Sequence, residues 1–163
     1  MGQYWVLVNL DKKEYVNQYN VGCGAKLYEQ LANAGVGQAM VILCAAMPEA
    51  RGGGDFDLEE NWHGPERTFP EYNGSPGPMP EDYSTIARRT IGRWAGDRIA
   101  LVGDYAEDTD LPKRFTASKI WEKCNPDAKN GYTDVSEDVA RVIEHELNGK
   151  FTGTGWKDFV LER

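Results

Sequence analysis

Two short polar motifs carry the residue types with which this chain could do chemistry. Arg51-Gly52-Gly53-Gly54-Asp55 sets three glycines between a cation and an acid. Glycines let backbone amides approach a ligand closely, and a guanidinium can grip a phosphate or carboxylate with two parallel hydrogen bonds. The lysine and spacing of a P-loop are missing, as is G-x-G-x-x-G, so a hinge is the plainer account of this motif. The second motif is Arg93-Trp94-Ala95-Gly96-Asp97-Arg98, which with Arg88 and Arg89 concentrates basic charge. Its guanidiniums could hold an anion while Trp94 stacks on a base or ring. Neutralising the acidic residues that precede them is their plainer use.

Between the two Gly-Asp pairs Gly96-Asp97 and Gly103-Asp104 runs the apolar stretch Ile99 to Val102, which predicts a buried strand, central to the domain, with a turn at each end. Polar groups at the ends of such a strand are held by a rigid scaffold. The expected ligand site therefore comprises Arg51, Gly53, Gly54, Asp55, Arg93, Trp94, Asp97, Arg98 and Asp104. Asp97, Asp104, Glu107, Asp108 and Asp110 could offer oxygen ligands to Mg²⁺ or Ca²⁺, but their spacing is not that of an EF-hand, and capping of turns explains them more simply. His63 and His145 lack an evident orienting carboxylate and reacting partner. A dyad of His63 with Cys23 or Cys44 has no local signature behind it.

The elements that must position these residues follow from pattern. Residues 4–10, Tyr-Trp-Val-Leu-Val-Asn-Leu, predict a first strand. Asp11-Lys12-Lys13 predicts a turn, and Glu14-Tyr15-Val16 a short strand pairing back. After Gly22-Cys23-Gly24, a helix should carry Leu27, Tyr28 and Leu31 on one face and stop at Gly35. Residues 37–47, closed by Pro48, fit a buried helix best, with a buried strand as the alternative that periodicity alone leaves open. A short helix over 116–124 should turn Ile120 and Trp121 inward before Asn125-Pro126-Asp127 breaks it. Ser136 is the expected N-cap of a last helix bearing Val139, Val142, Ile143 and Leu147, with Gly149 at its end. Residues 151–161 predict a closing strand. Strands alternating with helices point to one α+β or α/β domain spanning 1–163.

Composition bounds the function. A net charge of −8 disfavours general binding to phosphate backbones. Of that charge, −7 falls in residues 48–82, which hold nine acidic residues, Arg51, Arg67 and six of the eight prolines. So long a loop is either functional or disordered, and Phe56, Trp62, Phe69 and Tyr72 favour partial docking. Three cysteines without a CxxC pair exclude a disulfide framework and make structural zinc improbable. With no leader pattern and no apolar run of membrane length, the expected setting is the cytoplasm.

Three segments resemble a family of small uncharacterised proteins of bacteria, archaea and phages. They are Met1-Gly2-Gln3-Tyr4 leading into Val8-Asn9-Leu10-Asp11-Lys12-Lys13-Glu14-Tyr15 and Gly24-Ala25-Lys26-Leu27; Arg51-Gly52-Gly53-Gly54-Asp55; and Gly92-Arg93-Trp94-Ala95-Gly96-Asp97-Arg98-Ile99 with Val102-Gly103-Asp104-Tyr105. The resemblance brings no activity, cofactor or catalytic residue with it. It implies that these polar motifs sit together in the fold.

Three functions are then open. The first is a non-enzymatic protein holding a small anionic or nucleotide-like ligand between residues 51–55 and 93–98, with the intervening loop as lid. The second is a hydrolase or transferase using a divalent metal on Asp97 and Asp104. The third is a protein-interaction module, such as a phage-type inhibitor, whose acidic loop docks a basic partner.

Overall fold

Strict alternation in the first strand decides the architecture. The computed structural model describes residues 3–21, 25–32, 35–46 and 83–150. In β1 (Trp5–Asn9), Val6 and Val8 are buried on one side of a sheet and Leu7 on the other. A strand of period two with both faces apolar must lie between two layers. It does so at the middle of a four-stranded sheet of order β3-β1-β2-β4.

β1 runs antiparallel to β2 (Glu14–Val16) on one side and to β3 (Ile99–Gly103) on the other. The two-residue β4 (Thr133–Asp134) pairs in parallel with β2. The mixed sheet with its helices makes an α+β fold. The expected strands of residues 4–10, 14–16 and 99–102 all form, but β3 is not central: it stands at the sheet's edge with Ile99, Ala100 and Leu101 only half-buried, and β1 takes the centre.

On the Leu7 and Val16 face lies the larger core. It is roofed by α1 (Gln18–Val21), α3 (Val36–Cys44), α4 (Tyr83–Thr90) and α6 (Ser136–Lys150), and it encloses Trp94. On the opposite face Val6, Val8, Tyr15 and Val102 meet Ile120 of α5 (Ala117–Lys123), with Phe115, Trp121 and Tyr132 around them. α2 (Leu27–Ala32) packs on α3.

Several local expectations need correcting. Tyr28 does not share the inner face of α2; it is 81% exposed, while Gln30 is buried and donates to the Trp5 carbonyl at 2.6 Å. Gly35 opens α3 rather than ending α2, and its φ of 127° is one that side-chain-bearing residues avoid. Ser136 does not cap α6 with its own oxygen. Its hydroxyl accepts the Asn17 N–H at 2.6 Å, and Asp134 takes the Ser136 N–H at 2.9 Å. α6 also continues through Gly149 to Lys150.

No element was expected over 83–90, where α4 buries Ile86, Ala87 and Thr90 and turns Arg88 and Arg89 outward. β4 and α1, each of four residues or fewer, were likewise unforeseen. Gly22-Cys23-Gly24, the 48–82 loop and the strand expected over 151–161 lie outside the described residues. Among the described residues, no helix is long and apolar enough to cross a membrane.

Candidate functional site

At one end of the sheet, the β1–β2 turn meets the segment that links α4 to β3. Asn9 organises the first of these. Its side-chain oxygen accepts the N–H groups of Asp11 and Lys12 at 2.9 Å each, an Asx turn that carries the chain to Lys13 at φ 56°. The second segment reverses direction on Gly92 and Gly96, both at positive φ. It is tied to the end of α3: Gly92 N–H donates to the Ile42 carbonyl at 2.9 Å and Trp94 N–H to that of Leu43 at 2.7 Å. Two orphan carbonyls of the last helical turn are thereby satisfied.

Between these segments nearly every charged side chain finds an opposite. Arg93 grips Glu14 with two parallel bonds, Nε to Oε2 at 2.8 Å and Nη2 to Oε1 at 2.6 Å. The indole N–H of Trp94 donates to the same carboxylate at 2.8 Å. Asp97 accepts from Asn9 at 2.8 Å and pairs with Lys12 at 2.6 Å. Asp11 accepts the Arg98 backbone N–H at 2.7 Å and its Nε at 2.8 Å. The Arg98 and Arg114 guanidiniums lie 5.2 and 5.0 Å from the ring centre of Phe115.

These contacts set the electrostatics. Burial works to raise the Glu14 carboxyl, but hydrogen bonds from Arg93 and Trp94 outweigh it and hold the group below its ordinary value. The hydrogen bonds of Arg98 bring Asp11 down to about 2. Lys12 and then Asn9 lower Asp97.

At the other end of the β1–β3 ladder Asp104 closes a smaller knot. Its carboxylate accepts the Tyr4 N–H at 3.1 Å, and its own N–H donates to the Tyr4 carbonyl at 3.0 Å. Gln3 lies over Gly103, where a Cβ would meet its amide nitrogen at 2.1 Å.

The expected ligand site is thus brought together in part, and to a different end. Arg93, Trp94, Asp97 and Arg98 form one cluster, but they face Glu14, Asn9, Lys12 and Asp11. Trp94 is 1% exposed, so it offers no ring face for stacking. Arg89 is bound to Asp138 at 2.5 and 2.7 Å. Asp104 sits beyond the far end of β3 from Asp97, at least about 13 Å away at a strand rise of ~3.4 Å, too far to share one cation. Asp108 and Asp110 cap turns, accepting from Ser118 and from the Glu107 N–H. Among the described residues no cluster of His, Cys, Asp and Glu could hold a metal ion. Arg51, Gly53, Gly54, Asp55, His63 and Cys23 lie outside the described residues, as does the side chain of His145.

Neither described thiol is poised as a nucleophile. Burial raises Cys44, and burial with the neighbouring Asp134 pushes Cys124 up to about 12. The residues missed by sequence reasoning are the partners Asn9, Asp11, Lys12 and Glu14. The available signal was an acid in a three-residue strand with no polar face to give it. No protein-family model matches the chain, nor does any curated protein or any solved structure.

Proposed function

We propose that this chain is a non-enzymatic protein-binding module whose acidic, aromatic-bearing residues 48–82 engage a basic partner. The observation that carries this reading is the internal pairing of Arg93, Asp97 and Arg98, whose charges are spent on Glu14, Lys12 and Asp11. A ligand at that turn would have to break those pairs and leave buried Glu14 with an uncompensated charge. Unpaired charge is to be sought instead in residues 48–82, where nine carboxylates face two arginines in the sequence and Phe56, Trp62, Phe69 and Tyr72 can anchor a contact. A phage-type inhibitor of a basic host protein is one form such a module takes.

The test is a fluorescence anisotropy titration with lysine- and arginine-rich peptides. Binding should weaken steeply with salt and be lost when residues 61–80 are deleted, with the near-ultraviolet circular dichroism of the fold retained. Binding that survives the deletion refutes the reading.

A small anionic ligand is the second reading, and one observation favours it. The 92–94 backbone is bonded to the end of α3, and Arg51 follows Cys44, the last residue of that helix, by seven positions. At ~3.5 Å per residue, Arg51 is tethered within about 25 Å of the helix end. Under this reading a screen of nucleotides and phosphorylated metabolites raises the melting temperature, and Arg51→Ala abolishes the rise.

A further inference from the structure

We infer that the outer side of α1, α2 and α3 is a docking face for a basic amphipathic helix of a partner protein. The inference rests on the partner-binding reading above and supplies the apolar half of that contact. From Val16 to Met47 the chain carries two charged side chains, Lys26 and Glu29. The chain as a whole is 27% charged, several times that density. Glu29 is itself engaged, accepting the Lys26 N–H at 3.1 Å.

Helices that roof a core ordinarily turn charged residues to water. Here the outer side is apolar and aromatic instead. α3 buries Val36, Ala39, Ile42 and Leu43, while Gly37, Val41 and Ala45 run along its other side at intervals of four. Val41 is 65% exposed, and Tyr19 of α1 and Tyr28 of α2 are exposed as well. Both of those helices pack on α3. α2 comes close at Gly37, where a Cβ would stand 3.3 Å from the Gln30 carbonyl oxygen. Adjoining helices stand about 8–10 Å apart, within the breadth of one docked helix of about 10–12 Å. Among the described residues five large apolar or aromatic side chains are exposed, and three of them lie on these helices. Charge depletion with exposed tyrosine is the composition of an interface centre.

The occupant follows from charge. α3 ends at Cys44, and from Pro48 the chain enters the stretch 48–82 that carries −7. An uncharged face bordered by dense negative charge suits a segment with apolar residues along one side and lysines or arginines flanking them. A surface built of helices takes a helix, ridge into groove, with anchors at i, i+3, i+4 and i+7. A second copy of this chain would bring its own acidic stretch against the first, like charge against like. An anionic membrane would be repelled in the same way.

Anisotropy titrations of the full chain with two labelled lysine–leucine peptides of identical composition test this. One has its leucines at helical spacing along one side, and the other has them scattered. The ordered peptide should bind about tenfold more tightly. Tyr28→Gln with Val41→Gln should erase that preference while both peptides keep their salt-sensitive binding. Tyr105→Gln, at an exposed tyrosine off this face, should leave the preference intact. Should the double variant fail to fold, methyl resonances of the unaltered chain decide. Those of Val41 should shift with the ordered peptide, and those of Val102, buried on the opposite side of the sheet, should not. Equal binding of the two peptides overturns the inference and leaves the partner-binding reading standing, whereas no binding of either overturns both. A preference that survives in the folded double variant overturns the inference too. So do Val41 methyls that shift on concentrating the chain alone, which would assign the face to a second copy.

Discussion

Replacing Arg93 by alanine separates a structural role for the 93–98 turn from a ligand-binding one. In the parent chain Glu14 is 7% exposed and takes both Arg93 bonds and one from Trp94. Removing the guanidinium leaves the carboxylate with the indole N–H alone. Breaking a buried pair from one side costs about 3–5 kcal/mol. The Arg93 side chain is 32% exposed, so water screens part of that loss, and about 2–3 kcal/mol remains. For a chain of this size that lowers the melting temperature by roughly 5–10 °C.

The deficit should also depend on pH in a definite direction. In the parent chain the Glu14 carboxyl titrates below its ordinary 4.5, so its contribution is complete above that value and fades as pH falls through the lowered one. Without Arg93, burial dominates and raises the group. Its protonation then relieves the variant first, and the stability gap should narrow between about pH 7 and pH 4. Glu14→Gln added to Arg93→Ala should recover part of the loss at neutral pH. Urea melts across this range read all three quantities. A loss below about 0.5 kcal/mol, the ordinary cost of a surface substitution, would refute the structural role and return Arg93 to the list of ligand residues.

Two further outcomes follow from the same geometry. Carbon-detected titration should find the Asp11 carboxyl at about 2, and Arg98→Ala should bring it back toward 3.8; Asp11 therefore favours the fold above 3.8, and that contribution fades as pH falls toward 2. Cys124, pushed up to about 12, should resist thiol reagents at pH 8 in the native protein and react at once in denaturant, so rapid native labelling at that position would contradict its burial.

How much of this was legible in the chain depends on the range of the interaction involved. β1 announced itself because Val6, Leu7 and Val8 combine strand propensity with burial on both faces, and α6 because Val139, Val142 and Ile143 repeat at helical spacing. Local pattern is enough for such elements. α4 escaped because it directly follows a proline-rich stretch and mixes Ser84, Thr85 and Thr90 with a single large aliphatic, Ile86. Residues 93–98 stand out in the sequence as basic, and the structure pairs Arg93 and Arg98 with acids of the β1–β2 hairpin. Those partners do not stand out, since Glu14 and Arg93 are 79 positions apart and nothing local announces the pairing. An arginine bound to its own fold and one waiting for a phosphate look alike in sequence.

The placement of Asn9 and Glu14 has a consequence for how the strands find their alignment. Both β1 faces are greasy, so sliding β1 one position would exchange Val6 and Val8 for Leu7 at modest cost in burial. The same slide would strand Asn9 on the side away from Asp97 and unseat the turn amides it organises. Asn9 and Glu14 therefore act as keys that admit a single threading of the hairpin, whatever they add to strength. Chains with apolar residues of similar size at both positions should still collapse, and should show doubled amide resonances along 5–16 as two threadings compete.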